Sequence, residues 1–562
     1  MSTICVFFPT YNEAGNVQPL VRGIHEQLPD ARILVVDDAS QDGTAELLDG
    51  MAAEDSSLEV IHRPRKLGVG SAHKLAMLKA RDRGDRALIT MDADFSHHPR
   101  YLPTMVERLN HSEFVTGSRY APGGRCDYGP YRQLVSRTAN LAARGALGLR
   151  LAENTTLYRG FTRSLLARLP IDRIKSDGYS FAVESLFEVA AITSALDEFP
   201  IHFEDRLHGD SKISKKEIYK AIATIGRLGL ERVNPRSTRG VLPTAPRKRS
   251  ACVGCHSTYN LELYAAREGQ ATHGAYSVSS HSKRTHGRIL SCLQCGLIYM
   301  EPRLTADELV RAYEEVEDQA YLEHAAARVQ TFEFNLRQVE HHLAGGDRVL
   351  DVGSHCGVFL KVAEERGIDI TGVEPSRWAV DAARQLTSQP IVHGTVADLP
   401  PQTRPFDVVT MWDVLEHLYD PEAELRRIGA VLKPGGTLML STLMIDNWFP
   451  RLMGRSWPWL MDMHLYYFTQ GSLADMLGRA GFRIVESRSY CHIITLDYLM
   501  TKLGSLGVPG VESLGRLLEQ TRPGKALIPF RFGDIQLFVC KKVDGLDGET
   551  GRARAVPKLR VV

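Results

Sequence analysis

The chain has 562 residues, 43% hydrophobic and 24% charged, with 68 basic and 67 acidic side chains and a net charge of +1. That length exceeds what one apolar core supports and points to about three domains of roughly 100–200 residues each. The balanced charge supplies no global field for nucleic acid, and no stretch reaches ~18 uninterrupted apolar residues, so no transmembrane helix is expected.

The opening MSTICVFFPTYNE lacks a basic start, and its apolar run is too short for a secretory signal. Of nine cysteines, four form two Cys-x-x-Cys pairs, while Cys5, Cys126, Cys356, Cys491 and Cys540 are scattered. This distribution predicts a reducing cytoplasm rather than a disulfide framework.

From Ile4 to about Ile213, short β-branched runs (ICVFFP, ARILVVDD, LEVIHR, RALITMDAD, EFVTGSR) alternate with helical stretches such as VQPLVRGIHEQL and SAHKLAMLKARDRG. Such alternation implies a mostly parallel sheet, with ligands beyond the carboxyl ends of its strands. Two acid pairs, Asp37–Asp38 and Asp92 with Asp94, end two of these strands. Oxygen ligands of this kind suit Mg²⁺ or Mn²⁺ shared with a substrate diphosphate; solvated aspartates in a strand-end turn are the alternative. His97 and His98 follow, as metal ligands or as part of a turn closed by Pro99.

The segments FPTYNEAGN, VVDDASQDGT, KLGVGSAHKLAM, MDADFSHHP and TGSRY occur in order, followed by NTTLYRGF, GYSFAVESLF and FPIHFEDRLHGDSKIS. Over residues 3–230 this set resembles the family 2 glycosyltransferases of GT-A fold, in particular the dolichyl- or polyprenyl-phosphate mannosyltransferases. The resemblance implies that Pro9, Tyr11, Glu13 and Asp38 line a nucleotide pocket. It implies that Asp92 and Asp94 hold the donor diphosphate through a divalent cation. Arg119, Arg137, Arg159, Arg206 and Lys212 then face the donor and acceptor phosphates. A lipid phosphate is already nucleophilic near neutral pH, so positive charge matters more than a strong base. The chain departs from the family at Leu157, where a small glycine is usual, which bears on sugar or acceptor specificity. The stretch IYKAIATIGRLGLERV carries apolar residues at helical spacing with Lys220, Arg227 and Arg232, a pattern suited equally to a membrane surface and to packing on its own domain.

NPRSTRGVLPTAPRKRS, residues 234–250, has three prolines and no periodicity and reads as a linker. After it, CVGC (Cys252, Cys255) and CLQC (Cys292, Cys295) supply two thiol pairs able to complete a tetrahedral, closed and therefore structural Zn²⁺ site. His256, His281 and His286 are spare candidates, each expected to be solvated.

A helical stretch, residues 305–343, precedes a second α/β pattern opened by VLDVGSHCGVFLKVAEERG, a strand, glycine turn and helix. Glu374 lies about 20 residues on, where an acid can bind ribose hydroxyls, and Asp398 follows in another post-strand loop. A dinucleotide such as NAD competes for this pattern by itself. With FDVVTMWDVLEHLYDP, VLKPGGTLMLST and SLADMLGRAGFRIVE added, residues 305–543 resemble a class I S-adenosylmethionine-dependent methyltransferase, and CLQCGLIYMEPRLTADEL resembles the zinc-bearing module on some of these, sugar-modifying ones included. By resemblance Asp351, Gly353 and Gly357 flank the methionine part, Glu374 holds the ribose and Asp398 approaches the adenine. His355 stands where a middle glycine is common, and Cys356 reads as packing. For a hydroxyl acceptor a base is needed, and His417 and His464 are the candidates, His464 among aromatics that can wall an acceptor pocket.

The expected architecture is α/β throughout: a GT-A domain (1–233), a linker (234–251), a four-cysteine zinc module (252–303), a Rossmann-like methyltransferase domain (304–543) and a disordered tail (544–562). The implied function is bifunctional. One reaction is metal-dependent transfer of a hexose, mannose by resemblance, from a GDP-mannose-like nucleotide-sugar to a polyprenyl phosphate. The other is S-adenosylmethionine-dependent methylation of an acceptor on the same glycan pathway. Cytoplasmic location, with room for peripheral contact at the inner membrane face, is the matching expectation. Two alternatives stay open: another glycan or small-molecule acceptor, or one domain acting as a scaffold or lipid-binding module.

Overall fold

A computed structural model describes residues 3–178, 180–204, 215–233, 250–267, 285–314, 317–497, 499–500, 511–518, 521 and 523–543. Most of the expected linker, the expected tail, Arg206, Lys212 and His281 lie outside the described residues. The chain divides into two compact units, Met1–Leu261 with Ser291–Gly296, and Glu262–Leu290 with Leu297–Val562.

The first unit contains β1 (Ile4–Thr10), β2 (Arg32–Asp37), β3 (Leu58–His62), β4 (Ala87–Thr90), β5 (Phe114–Ser118), β6 (Arg125–Cys126), β7 (Arg159–Thr162), β8 (Leu196–Pro200) and β9 (His202–Phe203). Seven of these form one sheet in the order β3-β2-β1-β4-β7-β5-β8. β3, β2, β1 and β4 are mutually parallel, and β7 runs antiparallel between β4 and β5. Side chains alternate across the pleat, so Cys5 and Phe7 enter one apolar cluster while Val6 and Phe8 enter another. A sheet covered on both faces needs strands that are apolar throughout, as ICVFF and ILVV are. The strand order reverses beside β1, which places the crevice of a doubly wound sheet at the carboxyl ends of β1, β2 and β4.

Strands β10 (Asn260–Tyr264), β11 (Arg288–Cys292) and β12 (Ile298–Glu301) come from the Cys-rich stretch. The second unit adds β13 (Arg348–Val352), β14 (Asp369–Glu374), β15 (Ile391–His393), β16 (Phe406–Trp412), β17 (Leu432–Leu443), β18 (Tyr466–Tyr467), β19 (Phe482–Ser489), β20 (His492–Thr495), β21 (Leu527–Phe530) and β22 (Ile535–Lys542). Its main sheet runs β15-β14-β13-β16-β17-β22-β19. The first five strands are parallel, and β22 is antiparallel to both of its neighbours. Here the order reverses at β13, so the crevice lies beyond the ends of β13, β14 and β16.

Candidate active sites and a thiol cluster

In the first unit the loops after β1, β2 and β4 each contain a non-glycine residue in the left-handed region: Asn12 (φ 57°), Ala39 (φ 60°) and Phe95 (φ 65°). Such backbone carries a cost that surrounding bonds must offset, and those bonds are present. Asn12 N–H donates to Ser40 Oγ (2.8 Å), and Gln41 N–H donates to Asn12 Oδ1 (2.8 Å). Asp37 accepts from Thr10 Oγ1 (2.9 Å) and Ser40 Oγ (2.5 Å). Burial raises the pKa of the Asp37 carboxyl, but bonds from His62 and Ser40 overcome this and hold it below the ordinary range.

Asp38 pairs with Arg63 Nε at 3.0 Å and accepts the backbone N–H groups of Leu67 (3.3 Å) and Gly68 (3.1 Å). The glycines of KLGVGS admit another segment on the same stretch: a Cβ on Gly68 would stand 2.6 Å from the Asp177 carbonyl oxygen, and one on Gly70 2.8 Å from that of Ser176. Of the other expected nucleotide contacts, Tyr11 carries Lys66 Nζ over its ring at 3.7 Å. Glu13 accepts from Asn16 Nδ2 at 2.7 Å, and Pro9 pairs with Val36 in the sheet.

Asp92 and Asp94 follow β4 directly. Asp94 is buried and accepts from Ser96 N (3.1 Å) and Ser96 Oγ (2.5 Å), while the Asp92 side chain is 36% exposed. His97 fixes this turn. Its Nδ1 accepts the Asp92 N–H at 2.9 Å, so its Nε2 carries the hydrogen and donates to Thr156 Oγ1 at 2.9 Å. Burial pushes the imidazole down to about 3, so His97 is neutral and positions the acids rather than binding metal. His98 Nδ1 accepts from Arg100 N (3.1 Å) and caps the turn at Pro99. The donors at the β4 end are carboxylate oxygens, one of them accessible, which fits a hard divalent cation shared with a diphosphate.

Two of the expected phosphate ligands sit differently. Arg119 is buried and closes bidentately on fully buried Glu153 (Nε–Oε2 2.7 Å, Nη2–Oε1 2.9 Å), with Nη2 also donating to Thr155 Oγ1 at 2.9 Å. Arg159 is 1% exposed and donates to the carbonyls of Ala182 (2.7 Å) and Asn154 (3.0 Å) and to Ser185 Oγ (2.9 Å). Burial lowers it to about 9. Both guanidinium groups are thus committed inside the fold, where they brace the 153–159 loop instead of reaching outward. Leu157 is buried in the apolar cluster of that side. Arg137, by contrast, is exposed on helix Pro130–Leu147, its guanidinium 6.0 Å from the Tyr120 ring centre. Glu153 and Arg63, which hold the site together, carry no motif signal; their roles follow from distant pairing.

The four motif cysteines converge so that their sulfurs lie within 4.8 Å of one another. Cys252 Sγ is 3.6 Å from Cys295 Sγ, and Cys255 Sγ is 3.5 Å from Cys292 Sγ. Sulfurs ~2.3 Å from a tetrahedral Zn²⁺ would be ~3.8 Å apart, so the cluster fits that ion. The two turns match: His256 N–H donates to Cys252 O (2.8 Å) and Gly296 N–H to Cys292 O (2.9 Å), each residue with positive φ. His256 is exposed, as expected of a spare histidine, whereas His286 is buried with Nδ1 2.7 Å from the Gly287 carbonyl oxygen.

In the second unit the glycine turn after β13 has Gly353 at φ 72°, His355 at φ 47° and Gly357 at φ 74°. His355 adopts the left-handed conformation without being glycine, its ring 4.1 Å from that of Tyr321. A Cβ on Gly353 would meet Val414 at 2.7 Å, and one on Gly357 would meet Ala383 at 2.8 Å. Glu374, at the end of β14, accepts His355 N–H on Oε2 (2.8 Å) and Ser376 N–H on Oε1 (2.9 Å). Each oxygen keeps a lone pair for a ribose hydroxyl, so the acid and the turn fit a nucleoside. Burial raises the Glu374 pKa.

Asp351 is buried on β13 and accepts from Thr410 Oγ1 at 2.6 Å; burial pushes it up to about 8. Asp398 is exposed and caps its own turn, accepting from Thr395 N (2.7 Å) and Thr395 Oγ1 (2.9 Å). Cys356 is fully buried in an apolar cluster. The rings of His417 and His464 are 4.9 Å apart, and burial lowers the two to about 4 and about 3. Glu416 of the same turn brings a carboxylate oxygen within 4.8 Å of a nitrogen of each, and Asp413 is near enough to Glu416 to act on its charge.

Residues 5–169 match the family described as glycosyl transferase family 2, and residues 319–487 match a methyltransferase domain. An undecaprenyl-phosphate mannosyltransferase of Micrococcus luteus is 37% identical over 228 residues, 40% of this chain and 94% of that one. A polyprenol monophosphomannose synthase of Mycolicibacterium smegmatis is 36% identical over 228 residues, 40% of this chain and 86% of that one. Among solved structures, a glucosyl-3-phosphoglycerate synthase of Mycobacterium tuberculosis is 20% identical over 41% of this chain and 78% of its own, with a TM-score of 0.32. A methyltransferase of Thermotoga maritima is 18% identical over 40% of this chain and 93% of its own, with a TM-score of 0.27. The first unit has a GT-A-like fold and the second a Rossmann-like methyltransferase fold. The chain belongs to glycosyltransferase family 2 through its N-terminal unit and carries an S-adenosylmethionine-dependent methyltransferase domain in its second.

Proposed function

We propose that the first unit transfers mannose from a nucleotide-sugar of the GDP-mannose kind to a polyprenyl phosphate, and that the second methylates an acceptor of the same glycan pathway. The observation that carries the first half is the braced acid pair at the end of β4, with Asp92 accessible and Asp94 fixed by Ser96. Asp92 and Asp94 would hold Mg²⁺ or Mn²⁺, which when bound neutralises the leaving diphosphate. Asp38, Pro9, Tyr11 and Glu13 border the nucleotide side. Arg137, with Arg206 and Lys212 outside the described residues, supplies charge for the acceptor phosphate; Arg119 and Arg159 act by bracing the loop behind the acids. The names of the two mannosyltransferase relatives support this reading.

Among the described residues no helix is long and apolar enough to cross a membrane. Helix Pro130–Leu147 exposes Leu134 and Leu141, and helix Lys215–Val233 exposes Tyr219, Ile222 and Leu230. Five exposed apolar side chains beside Arg137 and Lys220 support peripheral contact with an anionic lipid surface. In the second unit Asp351, Gly353 and Gly357 would border the methionine part of the cofactor, with Glu374 on its ribose and Asp398 toward its adenine.

The test is incubation of the purified full chain with a panel of labelled nucleotide-sugars and undecaprenyl phosphate, with Mn²⁺, Mg²⁺ or chelator. Label in the organic phase from GDP-mannose alone, abolished by chelator, is the expected result. Label only on added glycan or small-molecule acceptors would establish a different acceptor. No transfer from any donor would leave the first unit as a binding module.

A further inference from the structure

The turn after β16 gathers a cluster that neither the glycine turn nor Glu374 accounts for. One ligand-type atom from each of Glu416, His417 and His464 lies within 4.8 Å of the other two. Glu416 and His464 are 1% and 5% exposed, while His417 and Asp413 are half-buried, so the cluster is enclosed but reachable from one side.

The hydrogen bonds fix the tautomers of the two imidazoles. His417 Nδ1 lies 2.9 Å from the Met463 carbonyl oxygen, and His464 Nδ1 lies 2.7 Å from that of Trp459. A carbonyl can only accept, so each Nδ1 carries the hydrogen and each Nε2 presents a lone pair. Tyr313 Oη, 3.0 Å from His417 Nδ1, shares that donor. Glu416 Oε2 accepts from Thr442 Oγ1 at 2.8 Å, which holds the carboxylate in place. Asp413, at φ 54°, is held by Ser441 Oγ at 2.6 Å. Two imidazole nitrogens and a carboxyl group gathered under burial form a donor set that a cation can take up, and imidazoles whose other nitrogen is anchored on a backbone carbonyl are how metal ligands are held.

We propose that Glu416, His417 and His464 bind one divalent first-row transition ion, with Asp413 beside it as a further acid. Nitrogen donors favour such an ion over Mg²⁺ or Ca²⁺, and three protein ligands leave positions open, unlike the closed four-cysteine set. Ligand atoms around an ion at ~2.0–2.2 Å stand ~2.9–3.5 Å apart, so the cluster closes by side-chain movements of about an ångström. Val414 packs against Gly353, as the 2.7 Å clash of a Cβ there measures, so the turn that carries Glu416 and His417 touches the cofactor turn. The ligand class for its open position is a hydroxyl-bearing methyl acceptor. Coordination acidifies the hydroxyl, whose proton passes to water. The C–O bond then forms as the sulfonium S–CH₃ bond breaks, leaving a neutral thioether. This use of the ion, though not its binding, rests on the methyltransferase reading of the unit.

The test loads metal-stripped full-length chain with Co²⁺, without nucleotide so that Asp92 and Asp94 lack the phosphates with which they share a cation, and removes the excess by gel filtration. The expected wild-type spectrum contains thiolate-to-cobalt charge-transfer bands and a second, weaker set from nitrogen and oxygen ligands. His464→Gln and Glu416→Gln should each lose the second set, with affinity falling at least about tenfold, and keep the first. His417→Gln is the replacement if either variant fails to fold, judged by the thiolate bands and by far-ultraviolet dichroism. A wild-type spectrum with thiolate bands alone, or a second set that survives these substitutions, overturns the site. S-adenosylhomocysteine binding is measured separately on the wild type: its absence refutes the methyltransferase use while leaving the ion's binding to the spectrum.

Discussion

Glu374→Gln replaces one oxygen of a carboxylate that does two jobs at once. In the folded chain its oxygens accept the His355 and Ser376 N–H groups at 2.8 and 2.9 Å, which ties the glycine turn to the end of β14. The same two oxygens retain the lone pairs that a ribose diol would use. The amide keeps one acceptor and turns the other into a donor, which must then face a backbone N–H or a hydroxyl. Hydrogen bonds to a charged acceptor are worth roughly 1.5–3 kcal/mol each. Loss of one, with the second weakened by loss of charge, therefore predicts affinity for S-adenosylhomocysteine lower by about tenfold to a hundredfold, since ~1.4 kcal/mol is one decade. Isothermal calorimetry on the full chain measures this, with NADH as the competing ligand. Mannosyl transfer, carried by the other unit, should be unchanged in the same preparation. Binding within about twofold of wild type in a folded variant would refute the assignment of Glu374 to the ribose, and binding of NADH instead would refute the cofactor.

Asp94→Asn should lower glycosyl transfer at least about a hundredfold, because a lost cation ligand weakens charge stabilisation by several kcal/mol; binding of S-adenosylhomocysteine by the same variant should match wild type. Cys292→Ser should lower the zinc content by about one ion per chain in elemental analysis and lower the thermal midpoint, since metal binding is coupled to folding at a closed site. His73 is buried against Phe7 and Phe181 and depressed to about 4 by burial. The unfolded chain protonates it near pH 6.5 and the folded chain does not, so its contribution is complete above pH 6.5 and is lost as pH falls toward 4, by up to ~1.4 kcal/mol per pH unit. Urea midpoints at pH 7 and pH 4.5 should therefore draw closer in His73→Phe than in wild type; an equal fall in both proteins would refute the titration.

Both sheets were legible from the chain because a strand covered on two faces has to be almost wholly apolar, and ICVFF and ILVV, like the apolar residues of VLDV, cannot be exposed without cost. The acid pairs, the glycine turn and the cysteine pairs were legible for a related reason: each pattern sits within a few residues of chain, so local spacing displays it. Gly68, Gly353 and Gly357 sit where the backbone turns left-handed or another segment comes within contact distance. What tertiary structure decided were pairings over long separations. Sequence marks Arg119 and Arg159 as cations beside a phosphate site. The fold turns both inward, one onto Glu153 and the other onto the carbonyls of Asn154 and Ala182. His417 and His464 are 4.9 Å apart in ring centres though distant in sequence, and it is the carbonyls of Met463 and Trp459 that fix the hydrogen on their Nδ1 atoms. A side chain's chemistry is written in the sequence, but its hydrogen-bond partners, and hence its charge and direction, are set by whichever segment packs against it.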